Sequence, residues 1–309
     1  MTALASHSSA TPRVSFSVNV CNSDAQYIEH TIPQMLNVLN YDFIERRVAY
    51  DPGLLEGKYA KRNEGNAKAI SQVLSHLQSA NIIDCVDTVP WTSHCQTKVM
   101  QKYFGAQTKT PKDFSGAPVY QYLYALYQCS GDYVFHADAD MLFHSPAGSS
   151  WIAQGVELLA SHPHIIASCP HAGPPKANTV KEWLFNKPAS SHSPRQWKQV
   201  HFTSTRSFLL DIKKFENCLP LQQNTPNEPL ENTLTACFKN NGYQHWNWAG
   251  YEHWALHPVS HGNNFLSYLP HIITTIEQGL YPFRRRGNSW DIYTEDKRFK
   301  PWLKLLNTL

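Results

Sequence analysis

The sequence predicts an α/β fold in which a mostly parallel central sheet lies between helices. Short apolar, β-branched segments alternate with segments of helical periodicity, and this alternation favours parallel strands joined by crossover helices. The 309 residues, of which 42% are hydrophobic, suffice for the core of one large domain. An Asp-x-Asp sequence follows a strand near the middle of the chain. Ligands of such sheets bind beyond the carboxyl ends of the strands, so we expect the functional residues there.

The chain opens with a strand followed by a helix. Residues 14–20, VSFSVNV, are β-branched and apolar, which is typical of a buried strand. After the turn-like residues 21–24, apolar residues recur at helical spacing from Ile28 to Leu39. Asp24 is the expected N-cap of this helix, because a carboxylate there accepts a hydrogen bond from a first-turn amide.

The same two patterns continue along the chain. They predict strands at 46–50, 82–89, 132–136, 165–168 and 205–210, and helices at 67–77, 120–127, 151–159 and 227–241. Asn227 is the expected N-cap of the last helix, which Gly242 ends. Residues 170–194 are rich in Pro, Ser, His and Asn and predict a long functional loop.

Composition and charge exclude several classes of protein. The net charge of +3 and the pI near 8.4 are far from the basic surface of nucleic-acid-binding proteins. The seven cysteines show no CxxC spacing, which indicates reduced thiols rather than a disulfide framework or a zinc knuckle. No segment approaches the roughly 18 apolar residues of a membrane span, and the first dozen residues lack signal-peptide features. We therefore expect a cytoplasmic protein without a transmembrane segment.

Asp138 and Asp140 form the most informative motif in the chain. They follow the apolar run 133–135, and in an extended backbone their side chains point to the same side while Ala139 faces away. Mg²⁺ and Mn²⁺ prefer oxygen ligands, and Mg²⁺ in particular keeps positions for substrate phosphates and water. The pair therefore predicts a Mg²⁺ or Mn²⁺ site that neutralises a diphosphate leaving group. A solvated turn with two surface acids is the simpler alternative.

These residues resemble a motif of the GT-A glycosyltransferases, most closely family 2, and the resemblance covers most of residues 14–265. It implies a GT-A, Rossmann-like sheet followed by an acceptor-binding part. Asp138, Ala139 and Asp140 then correspond to the family motif that holds the metal and the ribose-diphosphate of a nucleotide-sugar. The implied cofactor is Mn²⁺ or Mg²⁺.

The opening strand adds a nucleotide site to this resemblance. It resembles the family strand that usually ends in Pro-Thr-Tyr-Asn, with Asn19 in place of the proline, Val20 within the segment and Asn22 at the matching final position. Asp51, after the second strand, resembles the acid that reads the nucleobase, although Pro-Gly follows it instead of Gly-Ser. The resemblance implies that these four residues bind the nucleotide-sugar.

A helix start in the second half of the chain resembles the segment that carries the family's catalytic base. Glu231 lies where a Glu-Asp pair normally opens a helix that ends in Gly-Tyr, here Gly242-Tyr243. A carboxylate in a first helical turn is held ionised by the helix dipole and the unpaired amides, so it can accept a proton. Glu228 is the rival residue, and a capping role for either glutamate is the alternative.

The family often supplies a third metal ligand from a histidine about 25 residues beyond the base. His253, His257 and His261 follow one another at four-residue spacing, and His257 fits this distance best, with His261 second. A zinc site built from all three histidines is an alternative, although no HExxH arrangement precedes them. We expect Asp138, Asp140 and His257 to be the metal ligands.

The expected division of the chain is a flexible tail at 1–13, a nucleotide-sugar-binding half at 14–145 and an acceptor-binding half of the same domain at 146–309. Aromatic side chains in the second half suit contacts with sugar rings, and Trp183 and Trp248 are the candidates for the acceptor site. Arg206 is expected to hold a phosphate or carboxylate of a substrate.

The resemblance thus implies a metal-dependent, inverting glycosyltransferase with a nucleoside-diphosphate donor, UDP-sugars favoured, and an unidentified acceptor. A haloacid-dehalogenase-type phosphotransferase also uses Asp-x-Asp, but its pair lies on the first strand and a threonine follows, whereas Met141 follows here. A non-catalytic protein that binds a sugar-nucleotide or a glycan in a GT-A pocket is the second alternative.

Overall fold

The structure is a computed structural model that describes residues 11–62, 67–106, 110–174, 196–250, 252–279 and 291–294. The strands in these ranges are β1 (Val14–Cys21), β2 (Glu45–Asp51), β3 (Cys85–Thr88), β4 (Tyr133–Asp138), β5 (Leu142–His144), β6 (Ile165–Cys169), β7 (His171–Ala172), β8 (Trp197–Val200), β9 (Ser207–Asp211), β10 (Gln244–Trp248), β11 (Trp254–Pro258) and β12 (Asp291–Ile292). The α-helices are α1 (Ile28–Leu39), α2 (Ala67–Ser79), α3 (Ser93–Phe104), α4 (Tyr120–Gln128), α5 (Trp151–Ser161), α6 (Ile212–Glu216), α7 (Leu230–Asn240) and α8 (Asn263–Glu277). Two 3₁₀ helices span Asn22–Gln26 and Gly57–Arg62.

A central eight-stranded sheet has the order β3-β2-β1-β4-β9-β6-β10-β8. Its first four strands are mutually parallel, and β6 and β10 form another parallel pair. β9 runs antiparallel to β4 and β6, and β8 runs antiparallel to β10. Six strands therefore share one direction, which confirms the predicted α/β class with a mostly parallel sheet. The carboxyl ends of β1, β2 and β4 consequently lie at one edge.

Helices cover both faces of this sheet and form two apolar clusters with it. Val14, Phe16 and Val18 of β1 are fully buried in the cluster that includes residues of α1, α2, α5 and α8. The second cluster combines residues of α3, α4, α6 and α7 with the opposite face of the strands, for example Val134. The alternation of side chains along each strand distributes the apolar residues between the two clusters.

A smaller sheet lies beside the carboxyl edge of β4. β5 pairs antiparallel with β11, which also pairs in parallel with β7 and β12. The Gln34 side chain of α1 anchors β5 by donating to the Phe143 carbonyl at 2.6 Å and accepting from the Phe143 amide at 3.1 Å. This sheet brings residues after 250 next to the Asp-x-Asp segment, because β5 follows that segment directly.

The predicted N-cap of the first helix is wrong. α1 begins at Ile28, and its N-cap is Tyr27. The Asp24 carboxylate instead accepts hydrogen bonds from the Cys21 amide at 2.8 Å and from the Tyr27 hydroxyl at 2.5 Å. These bonds commit Asp24 to the intervening 3₁₀ helix, which the helical periodicity of the sequence did not reveal.

The predicted N-cap of the helix near residue 230 is also wrong. Asn227 has a φ of 55°, in the left-handed region, and therefore lies outside the helix. α7 begins at Leu230 with Pro229 as its N-cap. The predicted end is correct to within two residues, since Gly242 follows the helix with a φ of 74°.

Sequence patterns did not predict α3, α6 and α8, nor the strands β5, β7, β8, β10, β11 and β12. Of the predicted loop 170–194, residues 175–194 lie outside the described ranges. All seven cysteines are free thiols. Within the described residues, we find no helix with the length and apolarity that a membrane crossing requires.

Two glycines fix a pair of loops near the carboxyl edge of the sheet. Gly57 and Gly116 have φ values of 56° and 87°, and a Cβ on either would lie 2.2–2.3 Å from a carbonyl oxygen of the other loop. Only glycine permits this conformation together with this close approach. The Lys58 amide continues the contact by donating to the Ser115 carbonyl at 3.1 Å.

Candidate active site

A cavity of about 930 Å³ opens at the carboxyl ends of β1 and β4. The polar residues predicted for the site that line it are Asn19, Asp138, Asp140, Arg206, Glu231 and His257. They come from β1, the end of β4, the start of β9, the first turn of α7 and the end of β11. The fold thus brings residues separated by more than two hundred positions into one space.

The two aspartates reach the cavity from different backbone conformations. Asp138 is the last residue of β4, and the chain then turns, with the Met141 amide donating to the Asp138 carbonyl at 3.1 Å. Asp140 therefore lies in a turn rather than on an extended strand, and the predicted alternation with an outward Ala139 does not occur. Ala139 lines the cavity together with both aspartates. The side chain of Asp140 is the less exposed, at 9% against 26% for Asp138.

Two histidines approach the same oxygen of Asp140. His261 Nε2 lies 2.8 Å from Asp140 Oδ2, and His257 Nε2 lies 3.4 Å from it. The ring of Tyr27 stacks on His261 at 4.8 Å between centroids, which orients this imidazole. Burial lowers the pKa of His257, opposed by the negative charge of Asp140, so its neutral form is favoured. A neutral imidazole nitrogen is the form that ligates metals.

The donor set of Asp140, His257 and His261 fits Mn²⁺ in its chemistry. It offers carboxylate oxygen and imidazole nitrogen on one wall of a cavity that is large enough for a phosphorylated ligand. By a geometric criterion, however, the described residues contain no group of three or more His, Cys, Asp or Glu arranged to hold a metal. In the structure the two imidazoles face the carboxylate itself, as hydrogen-bonding partners would.

Asp138 belongs to a second hydrogen-bonded group. The hydroxyl of Tyr122, in α4, donates to Asp138 Oδ1. Burial and the neighbouring carboxylate raise the pKa of Tyr122, so this hydroxyl remains a donor at neutral pH. His136, in β4, is fully buried and stacks on Phe208. Its Nε2 lies 3.8 Å from Asp138 Oδ1.

Glu231 lies in the first turn of α7 and faces the cavity. The Thr205 hydroxyl donates to Glu231 Oε1 at 2.7 Å, which holds the carboxylate in place. The rival Glu228 is buried and accepts hydrogen bonds from the Asn224 amide at 2.9 Å and the Thr233 hydroxyl at 3.0 Å. Glu228 is therefore committed to these internal hydrogen bonds, whereas Glu231 has access to a ligand.

The predicted nucleotide residues divide into two groups. Asn19 and Val20 line the cavity, and both side-chain polar atoms of Asn19 are buried without a hydrogen-bond partner among the residues that the structure describes. Such orphaned atoms are uncommon in a folded protein and suit a bound polar ligand. Asn22 and Asp51 are not among the lining residues. Asn22 accepts from the Tyr50 hydroxyl at 2.6 Å, and Asp51 from the Trp91 indole at 2.7 Å and the Gly53 amide at 2.8 Å.

The predicted acceptor residues also differ in position. Arg206 lines the cavity, and its guanidinium lies 3.5 Å from Asp291 Oδ1. Trp248 is buried, packs edge-on against Trp197 and is not among the lining residues. Trp183 lies outside the described residues.

The sequence analysis missed Tyr122, Thr205 as a partner of Glu231, and Asp291. Tyr122 does not belong to the apolar stripe that predicted α4. A tyrosine on the other face of that helix was the sequence feature that could have pointed to it. Asp291 carried no signal, because β12 forms only by pairing with β11.

No protein-family model matches the sequence, and no curated protein matches it. Among solved structures, the chain is similar to S. aureus TarS, with 12% identity and a TM-score of 0.44, over 78% of this chain and 36% of that one. It is also similar to GalNAc-T7, solved with UDP, GalNAc and Mn²⁺, with 10% identity and a TM-score of 0.47, over 80% of this chain and 44% of that one. Both are GT-A-type glycosyltransferases. The chain spans less than half the length of either.

Proposed function

We propose that this protein is a metal-dependent, inverting glycosyltransferase that transfers a sugar from a nucleoside-diphosphate donor. One observation carries the proposal. A single cavity has Asp140 with two imidazoles on one wall and Glu231, held by the Thr205 hydroxyl, on another. The first group suits a divalent cation and a diphosphate, and the second suits the removal of a proton from an acceptor.

The nucleotide-sugar is proposed to bind over the end of β1. Asn19 supplies an amide whose oxygen and nitrogen have no partner in the described part of the chain, and such an amide can pair with a polar group of the ligand. Asp51 and Asn22 lie at the ends of the neighbouring segments, and their expected roles toward the base and ribose remain predictions. UDP-sugars are the first donors to test.

Asp140, His257 and His261 are proposed to hold the cation, with Asp138 assisting. When bound, the metal stabilises the negative charge that builds on the leaving diphosphate. Asp138 keeps one orientation because Tyr122 donates to its Oδ1. Arg206, on the same side of the cavity, adds a positive charge that can contact a phosphate or an anionic acceptor.

Glu231 is proposed to act as the general base. Its position in the first turn of α7 places its carboxylate at the cavity, within reach of an acceptor that binds there. The acceptor hydroxyl or amine transfers its proton to Glu231 as its oxygen or nitrogen bonds to the anomeric carbon. The bond from that carbon to the diphosphate breaks on the opposite face, and the product therefore has inverted stereochemistry.

A non-catalytic sugar-nucleotide- or glycan-binding protein is the second candidate. It would use the same cavity but would not need a second carboxylate there besides those of the metal site. The exposure of Glu231 to the cavity and the hydroxyl that holds it favour the transferase.

A two-step assay tests the proposal. Unfolding temperatures are measured with UDP-, GDP- and dTDP-sugars, with and without Mn²⁺, because a ligand of the native state raises the melting temperature by mass action. The stabilising donors are then incubated with the protein and Mn²⁺, or with EDTA as the control. We expect slow release of nucleoside diphosphate that EDTA abolishes. Stabilisation without release would favour the binding protein, and the absence of both would refute the proposal.

A further inference from the structure

Asp291 lies close to two residues that line the cavity, Arg206 and His257. It belongs neither to the Asp140 group nor to the Glu231 group. It is the first residue of β12 and is paired in register with His257 of β11. Its side chain is 10% exposed. No sequence pattern pointed to this residue, and the proposed reaction as written does not use it.

The imidazole of His257 lies between two carboxylates. Its Nε2 is 3.4 Å from Asp140 Oδ2, and its Nδ1 is 3.9 Å from Asp291 Oδ1. The Nδ1 atom is buried and has no hydrogen-bond partner among the described residues. A buried ring nitrogen of this kind normally donates or accepts a hydrogen bond, and an N–H···O bond forms at about 2.9 Å. The Asp291 carboxylate faces that nitrogen, and the separation of Nδ1 and Oδ1 is about 1 Å longer than such a hydrogen bond.

Two further contacts fix the Asp291 carboxylate. The Tyr293 hydroxyl donates to Oδ2 at 3.1 Å, and the Arg206 guanidinium lies 3.5 Å from Oδ1. The carboxylate is therefore held from both sides, with Oδ1 left facing His257. A carboxylate that accepts from the distal ring nitrogen of a metal-binding histidine fixes its tautomer and raises its basicity.

We propose that Asp291 is the positioning residue of His257. It accepts the Nδ1 proton, so that the Nε2 lone pair points at the cation site beside Asp140. The proposal rests on the proposed function only in taking His257 as a metal ligand. It makes the affinity of the site for a divalent cation depend on strand β12.

Mn²⁺ affinity, measured on the full chain by electron paramagnetic resonance without any nucleotide-sugar, tests this directly. We expect Asp291→Ala to raise the Mn²⁺ dissociation constant by about 10- to 100-fold, the usual loss for an outer partner of a metal ligand. Asp291→Asn should recover part of the loss, because its amide oxygen still accepts a hydrogen bond. Asp211→Ala is the matched control, since Asp211 is similarly buried but caps α6.

A purely structural role predicts a different result. It would lower the unfolding temperature of Asp291→Ala as the control does, without changing Mn²⁺ affinity in the folded fraction. Arg206→Met removes the other charged contact of Asp291 and leaves its contact with His257 in place. If it weakens Mn²⁺ as much as Asp291→Ala does, the carboxylate acts through Arg206 and the assignment to His257 is wrong.

The metal-free protein gives an independent readout by ¹⁵N NMR of histidine. We expect the proton of His257 on Nδ1 in the wild type and in Asp291→Asn, whose amide oxygen still accepts it, and on Nε2 in Asp291→Ala. An unchanged tautomer in Asp291→Ala overturns the proposal, and so does a wild-type proton on Nε2, whether or not the alanine variant folds. If the wild type fails to bind Mn²⁺, the metal part of the proposed function fails, and the tautomer alone decides the role of Asp291.

Discussion

Two walls of one cavity each present a carboxylate, and the neighbours of each carboxylate differ. Asp140 lies beside two imidazole nitrogens within 3.4 Å of the same oxygen. Glu231 instead accepts a hydrogen bond from the Thr205 hydroxyl and lies at the start of a helix. Nitrogen and oxygen donors around one acid suit a cation, whereas an acid with one hydroxyl partner has oxygen lone pairs left to accept a proton.

The partners of a carboxylate, rather than its residue type, therefore set its chemistry. Tyr122 lies between the two walls, because its hydroxyl donates to Asp138 and is close to Thr205, the partner of Glu231. The two groups are therefore neighbours. Substitutions in each group should nonetheless change different measurable quantities.

The largest expected effect is that of Glu231→Gln on turnover. Loss of a general base lowers the rate by about 10²- to 10⁴-fold, because glutamine cannot accept the proton. Release of nucleoside diphosphate measures the rate, and the dissociation constant of Mn²⁺ should stay within about twofold of the wild type. Glu157→Gln, on the exposed face of α5, is the control. Equal turnover of the two variants would remove Glu231 from the base role.

Asp140→Asn should change the cation site instead. We expect the Mn²⁺ dissociation constant to rise by about 100-fold, at least the loss seen for outer partners of a metal ligand, because a charged oxygen donor is lost. Electron paramagnetic resonance of Mn²⁺ gives the affinity, and Asp132→Asn, an exposed residue, is the control. If the variant binds Mn²⁺ like the wild type, Asp140 does not hold the cation.

The comparison of the two walls holds only in the pH range where the protein is folded, and two core histidines limit that range. Burial lowers the pKa of His245 and of His253 to about 4, from 6.5. The unfolded chain therefore binds more protons between these values, so stability is complete above pH 6.5 and falls as the pH drops toward 4. At pH 5 each histidine should cost about 2 kcal/mol of unfolding free energy.

Urea unfolding at pH 7 and pH 5 measures this smallest effect. His253→Gln should reduce the loss between the two pH values by about 2 kcal/mol, since glutamine does not titrate. His201→Gln, at an exposed position, should leave the loss unchanged. An equal pH dependence in all three proteins would show that His253 is not neutral in the native state.

Local patterns predicted five strands of the central sheet, β1, β2, β4, β6 and β9, close to their observed ends, because each contains buried apolar or β-branched residues. They also predicted α1, α2, α4, α5 and α7 near their observed positions, whereas α3, α6 and α8 were not predicted. The strands β8, β10 and β11 escaped prediction, since aromatic and polar residues such as Trp246 and His257 mask their periodicity. Their conformation comes from pairing with strands that are distant in sequence.

The α/β alternation and the position of Asp138 and Asp140 at the end of a buried strand follow from the local sequence. It also gave the first-turn location of Glu231, because burial patterns and helix starts are local properties. Only the tertiary structure decided that His261 lies closer to Asp140 than His257 does, that Thr205 holds Glu231, and that Asp291 faces His257. These contacts join segments far apart in the chain, and the packing of strands and helices against one another, rather than any local preference, fixes their distances.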